Sequence, residues 1–259
     1  MTKIFIDPGH GGDDAGAEAN GLQEKEIVLD ISLHIRDMLL NEYEDVEVKM
    51  SRDSDVFVEL SERAQMANDW GADYFISVHS NAGGGTGFES YIHTSQAERT
   101  VELQNIVHDA IVEEIDVNDR GKMTANFVVL RETAMPAILT ENLFVDNEND
   151  AELLSDPAFL ETIARGHVNG IAEAFQLEQS NDTPPQETIY KVQVGAFQEE
   201  ANARRLATQL EDDGYTPYVY RNGDLWKVQV GAFRNRENAE RLKEELEDKG
   251  YDVFLVVQN

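Results

Sequence analysis

The chain is predicted to fold as an α/β protein whose sheet carries helices on both faces, followed by a smaller βαββαβ domain. Two observations predict this. Strand-like and helix-like segments alternate from residue 3 to residue 176, the order that builds a sheet covered on both sides. Beyond that stretch, YKVQVGAF at 190–197 returns as WKVQVGAF at 226–233, the mark of a repeated strand–helix–strand unit.

The elements follow in order. KIFIDPGH is a strand running into a turn, and residues 24–41 place Ile27, Ile31, Ile35, Met38 and Leu39 on a helical face. VEVKM at 46–50 is the second strand. Ser61 to Trp70 is a helix that stops near Gly71. YFISVHSN and GFESYIHT are the third and fourth strands, and residues 100–115 form a long helix. FVVLR and PAILTEN are read as further strands, and residues 157–176 as the last helix.

Residues 1–177 form the first expected domain. EQSNDTPPQE at 178–187 is polar, contains two prolines and has no periodic pattern, so it reads as a linker. Residues 188–259 form the second domain. The 36-residue offset that pairs the two VQVGAF strands also pairs Ala203 with Ala239, Leu206 with Leu242 and Leu210 with Leu246, an apolar helix face in each unit. Gly214 and Gly250 are expected helix caps, and YTPYVYR and YDVFLVV the second strands. Tyr190 and Trp226 are expected to pack in the core or along the sheet edge.

Charge separates the two parts. Residues 188–259 carry 13 acidic and 10 basic side chains, a net of -3, whereas residues 1–187 carry 38 and 11, a net of -27. A total of -30 argues against nucleic acid and anionic lipid as partners, and it suits a salty medium in which self-repulsion is screened. No cysteine is present, so thiolate chemistry and cysteine metal sites are excluded. No apolar run has the length of a membrane span, and no signal peptide is visible before the first strand, so the expectation is either a chain without one or a mature or trimmed form.

Four ionisable residues sit where a cleft is expected. His10 follows the first strand, His79 the third and Glu141 the strand AILT, and ligands gather beyond the carboxyl ends of strands in open α/β sheets. Glu24 begins the first helix and reaches the same rim. Two imidazoles and a carboxylate suit Zn²⁺ with one open position, and a second carboxylate can transfer protons. Sequence order alone leaves open which glutamate does which. Plainer roles stand beside these: His10 as a turn residue, His79 as an ordinary strand end, Glu24 as a helix N-terminal acid and Glu141 as the partner of an arginine. PGHGG lacks the spacing and lysine of a phosphate loop. His34, His108 and His167 fall within helices, without partners at metal spacing, and are expected at the surface or its boundary. His93 follows a strand and is a candidate for substrate contact.

IFIDPGHGGDDAGAEANGLQEKEIVL, SRDSDVFVELSERAQMANDWGADYFISVHSNAGGG, GFESYI and FVVLRETAMPAILTENLFVDNENDAELL together resemble the zinc-dependent N-acetylmuramoyl-L-alanine amidase family. The resemblance covers about residues 3–176. It implies an open, twisted, mostly parallel sheet flanked by helices. It implies Zn²⁺ on His10, Glu24 and His79, with Glu141 catalytic, and hydrolysis of the amide between the lactyl group of N-acetylmuramic acid and L-alanine in peptidoglycan. Residues 188–259 resemble the sporulation-related repeat domain, SPOR, which binds peptidoglycan. The pairing is most like the amidases that lyse the mother cell wall of endospore formers, which also start at the catalytic domain, so action on the wall without a visible signal peptide is expected. Gly87 to Glu141 is too short for the regulatory helix inserted in many secreted members, and no protein partner is expected to be required. Arg52 and Arg63 fall on recurrent family positions and are read as ion-paired scaffold. The rival functions are a wall-binding module without catalysis and a zinc peptidase acting on the peptide stem.

Overall fold

A computed structural model describes residues 1–180, 189–213, 215, 217–223, 225–233 and 236–258. Contacts divide the chain into two units, Met1–Ser180 and Asn181–Asn259. Of the expected linker, residues 181–187 lie outside the described residues, as does Gly214. Among the described residues no helix is long and apolar enough to cross a membrane.

The first unit runs β1 (Thr2–Pro8), β2 (Glu18–Ala19), β3 (Leu22–Gln23), α1 (Glu24–Glu42), β4 (Val46–Met50), α2 (Leu60–Trp70), β5 (Tyr74–Asn81), β6 (Phe88–His93), α3 (Glu98–Ile115), β7 (Asp119–Ala125), α4 (Val128–Glu132), β8 (Ala137–Phe144), α5 (Glu148–Leu154) and α6 (Pro157–Phe175). Six strands form one sheet in the order β4-β1-β5-β8-β6-β7. The first four are mutually parallel, β6 runs antiparallel to β8, and β7 is parallel to β6. The sheet is therefore mixed but mostly parallel, as expected.

Alternation along the strands divides the core between two faces. Ile4, Ile6, Tyr74, Ile76 and Ile138 pack with α1, α3 and α6, while Phe5, Phe75, Ala137 and Leu139 pack with α2 and α4. Phe5 and Phe75 stack at 5.8 Å between ring centroids. Helix α6 opens with Pro157 behind the cap Asp156, whose carboxylate accepts from the Ala158 amide. Gly166 and Gly170 let α6 approach α3, since a Cβ on either would press against the α3 backbone.

One strand expectation needs correction. FVVLR is not a strand: Val128–Glu132 is the short helix α4, which covers the sheet with Val129 and Leu130. The edge position belongs to β7, whose sequence DRGKMTA is polar because an edge strand faces water on most of its surface. A short apolar run does not distinguish helix from strand. The hairpin β2–β3 was not anticipated either, although Asn20 and Gly21, at φ 52° and 80°, supply its turn.

The second unit runs β9 (Ile189–Phe197), α7 (Glu200–Asp212), β10 (Tyr218–Asn222), β11 (Leu225–Phe233), α8 (Arg236–Asp248) and β12 (Phe254–Gln258). Its antiparallel sheet has the order β10-β11-β9-β12, which is the expected βαββαβ arrangement. Repeat-related residues meet in one core, including Val192 with Val228, Ala203 with Ala239 and Leu210 with Leu246. Tyr190 and Trp226 pack against that core. Gly250 follows α8 at φ 90°.

Candidate active site

The sheet changes winding direction at β1, with β4 on one side and β5 on the other. Such a crossover opens a crevice beyond the carboxyl ends of the strands. His10 lies two residues past β1, at φ 59°, and His79 lies near the end of β5. Gly9 admits the His79 ring: a Cβ there would lie 2.7 Å from both ring nitrogens.

Two buried arginines shape the loop that carries His10. Arg63 is 1% exposed and donates to Asp7 Oδ1 at 2.9 Å and to the carbonyls of Pro8, at 2.6 Å, and His10, at 2.7 Å. Ser51 and Ser77 complete the coordination of Asp7. Arg52 departs from the expected ion pair. It donates instead to the carbonyls of Pro8, Gly9, Lys25 and Ser54.

Glu24 is delivered by the β2–β3 hairpin as the first residue of α1 and is buried. Its Oε1 lies 2.9 Å from His79 Nδ1 and accepts from the Ser80 amide, and its Oε2 lies 3.1 Å from His10 Nε2 and accepts from the Ala17 amide. Ligand atoms of His10, Glu24 and His79 all fall within 4.8 Å of one another. His10 Nδ1 sits 2.9 Å from Asp14 Oδ2, so a proton held there leaves Nε2 free to bind a metal. Burial and the two imidazoles act oppositely on Glu24, and the imidazoles prevail, holding its carboxyl well below the usual range. Burial lowers the pKa of His10, but Glu24 and Asp14 outweigh it and raise the value to about 9. His79 is likewise raised against its burial by Glu24 and Glu141.

Glu141 does not end its strand. Strand β8 continues to Phe144, and Glu141 stands opposite His79 in the parallel β5–β8 ladder. Its Oε2 is buried without a hydrogen-bond partner. Burial, reinforced by Glu24 and Glu89, outweighs the pull of His79 and raises its pKa to about 7. All four residues line one cleft of about 590 Å³, whose rim carries the exposed apolar side chains Phe57, Leu60 and Phe127. The arrangement can hold a divalent cation on three donors with a proton-transferring carboxyl beside it.

The remaining histidines lie elsewhere. His108 and His167 are not at the surface or its boundary: both are fully buried. His108 lies between Ser90 Oγ and Asp119 Oδ1, and His167 between Thr140 Oγ1 and the Ile163 carbonyl. Helix α3 and helix α6 are covered by the sheet and by each other, which a histidine in an otherwise apolar face does not advertise. Burial lowers both pKa values, that of His167 to about 4. His93 ends β6, which runs opposite to β8, so it lies at the far end of the sheet in a separate hollow with Ser95 and Arg99. The same reversal brings the start of β6, with Glu89, next to Glu141. Glu89 was missed in the sequence because nothing in GFESYI announces an antiparallel strand.

Residues 4–173 match the N-acetylmuramoyl-L-alanine amidase family. The chain belongs to that family. Residues 186–258 of the amidase match the SPOR domain. It is 56% identical over 223 residues to the N-acetylmuramoyl-L-alanine amidase CwlM of Bacillus licheniformis, covering 86% of each chain. It is 51% identical to a sporulation-specific N-acetylmuramoyl-L-alanine amidase of Bacillus subtilis (strain 168), covering 85% of this chain and 84% of that one. Its fold superposes on a crystal structure of an N-acetylmuramoyl-L-alanine amidase from Clostridium difficile 630 with a TM-score of 0.66 at 34% identity, over 68% of this amidase and 97% of that chain. These relationships make the chain a peptidoglycan amidase of the zinc-dependent class, and the His10, Glu24 and His79 cluster is able to chelate a metal.

Proposed function

We propose that this amidase holds Zn²⁺ on His10, Glu24 and His79 and uses Glu141 to hydrolyse the amide joining the lactyl group of N-acetylmuramic acid to L-alanine. The observation that carries the proposal is the convergence of the three donors beside Glu141, whose Oε2 is buried and unpaired. The donor set fits the ion: two imidazoles and one carboxylate suit zinc and leave a position open. Bound there, zinc supplies a Lewis acid that polarises the amide carbonyl and a place where water ionises near neutral pH. Glu141 takes the proton of the attacking water and delivers it to the amide nitrogen as the carbon–nitrogen bond breaks. The products are a lactyl carboxylate and a free alanine amino terminus. Asp14 holds His10 in the tautomer that presents Nε2.

Residues 1–177 are the catalytic domain in this reading, and residues 188–259 are a peptidoglycan anchor joined to it by the linker. The SPOR match supports the anchor. The enzyme then works on the cell wall, and its nearly neutral tail offsets the repulsion between a strongly acidic catalytic unit and anionic wall polymers.

The test uses Glu141→Gln in the full chain with a defined muropeptide. Glutamine keeps the size but cannot shuttle a proton, so turnover is expected to fall by roughly two or more powers of ten while zinc content stays at one per chain. Near-normal turnover with zinc in place removes Glu141 from the reaction. His79→Ala is expected to lose the metal and the activity together. Mass spectrometry of the products separates release of alanine amino termini from cleavage within the stem.

A further inference from the structure

Glu89 is 2% exposed, and the reaction above gives it no part. It stands opposite Glu141 in the β6–β8 ladder, and His79 stands opposite Glu141 in the β5–β8 ladder. Residues paired directly across strands project to the same face of a sheet. Glu89, Glu141 and His79 therefore form a row across three strands, with Glu141 in the middle.

The two glutamates are held very differently. Glu89 Oε1 accepts from Asn81 Nδ2 at 2.7 Å and from the Tyr91 hydroxyl at 2.8 Å, and Glu89 Oε2 accepts from Arg120 Nε at 2.7 Å. Glu141 Oε2 has no partner. Of two neighbouring acids, then, one is anchored by three donors, whereas the other has a buried oxygen that no donor holds. Like charges at this separation in a poorly solvated place repel strongly. That repulsion favours a Glu141 carboxyl directed away from Glu89 and toward the strand that carries His79.

The geometry points to Glu89 as a positioning residue: fixed by Asn81, Tyr91 and Arg120, it directs the Glu141 carboxyl to the metal side of the cleft. This assignment rests on the amidase reading of the site. The same contacts reach the cleft wall. Asn81, two residues after His79, sits where β5 leaves its register with β8, and the Tyr91 ring packs on Phe127 of the rim at 5.4 Å. An ion pair with one buried partner can also serve the sheet alone, and the two roles differ in what they do to a chain that already lacks Glu141.

Glu89→Gln keeps an oxygen for Asn81 and Tyr91 but removes the charge and offers Glu141 an amide donor that draws it sideways. With a defined muropeptide, kcat is expected to fall on the order of tenfold or more while KM stays within about twofold, because an interaction needed only in the transition state is lost. Zinc content is expected to remain at one per chain. In a Glu141→Gln background the same substitution is expected to cause no further loss, since it acts through Glu141. Arg120→Gln, at a side chain that is 35% exposed, loosens Glu89 from its other side and is expected to show the same pattern. If Glu89→Gln does not fold, Arg120→Gln decides by these criteria. Normal kcat in a folded variant, loss of zinc, or an equal loss in the Glu141→Gln background overturns the assignment. A wild-type enzyme that releases no alanine amino termini overturns the amidase reading instead.

Discussion

Gly9→Ala is a one-methyl test of how the His79 ring is seated. Gly9 has no positive φ, so its backbone accepts alanine, and the conflict is purely steric. The new Cβ would lie 2.7 Å from His79 Nδ1 and Nε2 and nearer still to Cε1. Ordinary contact between such atoms needs about 3.5 Å, so the ring must withdraw by about 1 Å. Zinc–ligand distances tolerate only about 0.2 Å, and even indirect disturbance of a ligand typically costs about 10–100-fold in metal affinity. The zinc dissociation constant of Gly9→Ala is thus expected to rise by about 100-fold or more, with activity lost at limiting zinc. The Ile and Phe core that packs the sheet is untouched, so the melting temperature of the metal-free protein should change little. Competition with a chromogenic chelator measures the affinity, and thermal melting in excess chelator measures the fold. Wild-type zinc affinity in Gly9→Ala would refute the reasoning, because it would mean that His79 does not occupy this position when metal is bound.

Arg63→Ala removes the partner of a buried carboxylate, Asp7, and the donor to two carbonyls of the His10 loop; a loss of about 3–5 kcal/mol is expected in urea unfolding, and a loss under about 1 kcal/mol would contradict a buried, paired arginine. Activity should fall as the pH drops through a limb at or below about 7, because Glu141 must be unprotonated to accept a proton and a bound cation holds it lower than the metal-free value of about 7; a limb above pH 8, or one retained in Glu141→Gln, would assign it to another group. In metal-free protein, the raised His10 stabilises fully below pH 6.5 and loses its contribution as the pH rises through about 9, whereas the lowered Glu24 contributes above pH 4.5 and is lost on acidification. Melting in chelator should therefore weaken between pH 7 and 9, and a melting temperature that rises over that range is the contrary result.

The acidic surface and the site impose different demands on the first unit. Among the described residues, Arg63 is the arginine that lines the cleft, and it is committed to Asp7 and to backbone carbonyls. The carboxylates that converge there favour a divalent cation over a basic side chain as the source of positive charge. The rim carries the exposed apolar side chains Phe57, Leu60 and Phe127 instead.

Much of this protein is legible along the chain. The repeat of VQVGAF gives the βαββαβ unit, because each unit must bury one apolar strand face against one helix. The alternation from β1 to α6 gives the covered sheet, and strand ends point to His10 and His79, because parallel strands carry their loops at one edge, whereas Glu141 lies within β8 and not at its end. What a linear reading does not contain is direction and depth. Whether FVVLR is a strand or the helix α4, and whether DRGKMTA is an edge strand, depend on which side of the sheet is left for them. The reversal of β6 exchanges the places of its two ends, bringing Glu89 to Glu141 and sending His93 away. His108 and His167 read as boundary residues because each needs only one or two polar partners to be buried, and those partners, Ser90, Asp119 and Thr140, come from strands of the sheet outside the helix that carries each histidine. Sequence determined the residue types that could hold a metal and the elements that carry them; only tertiary packing decided which carboxylates meet, because strand order and direction arise from burial of both sheet faces at once and not from any local run of residues.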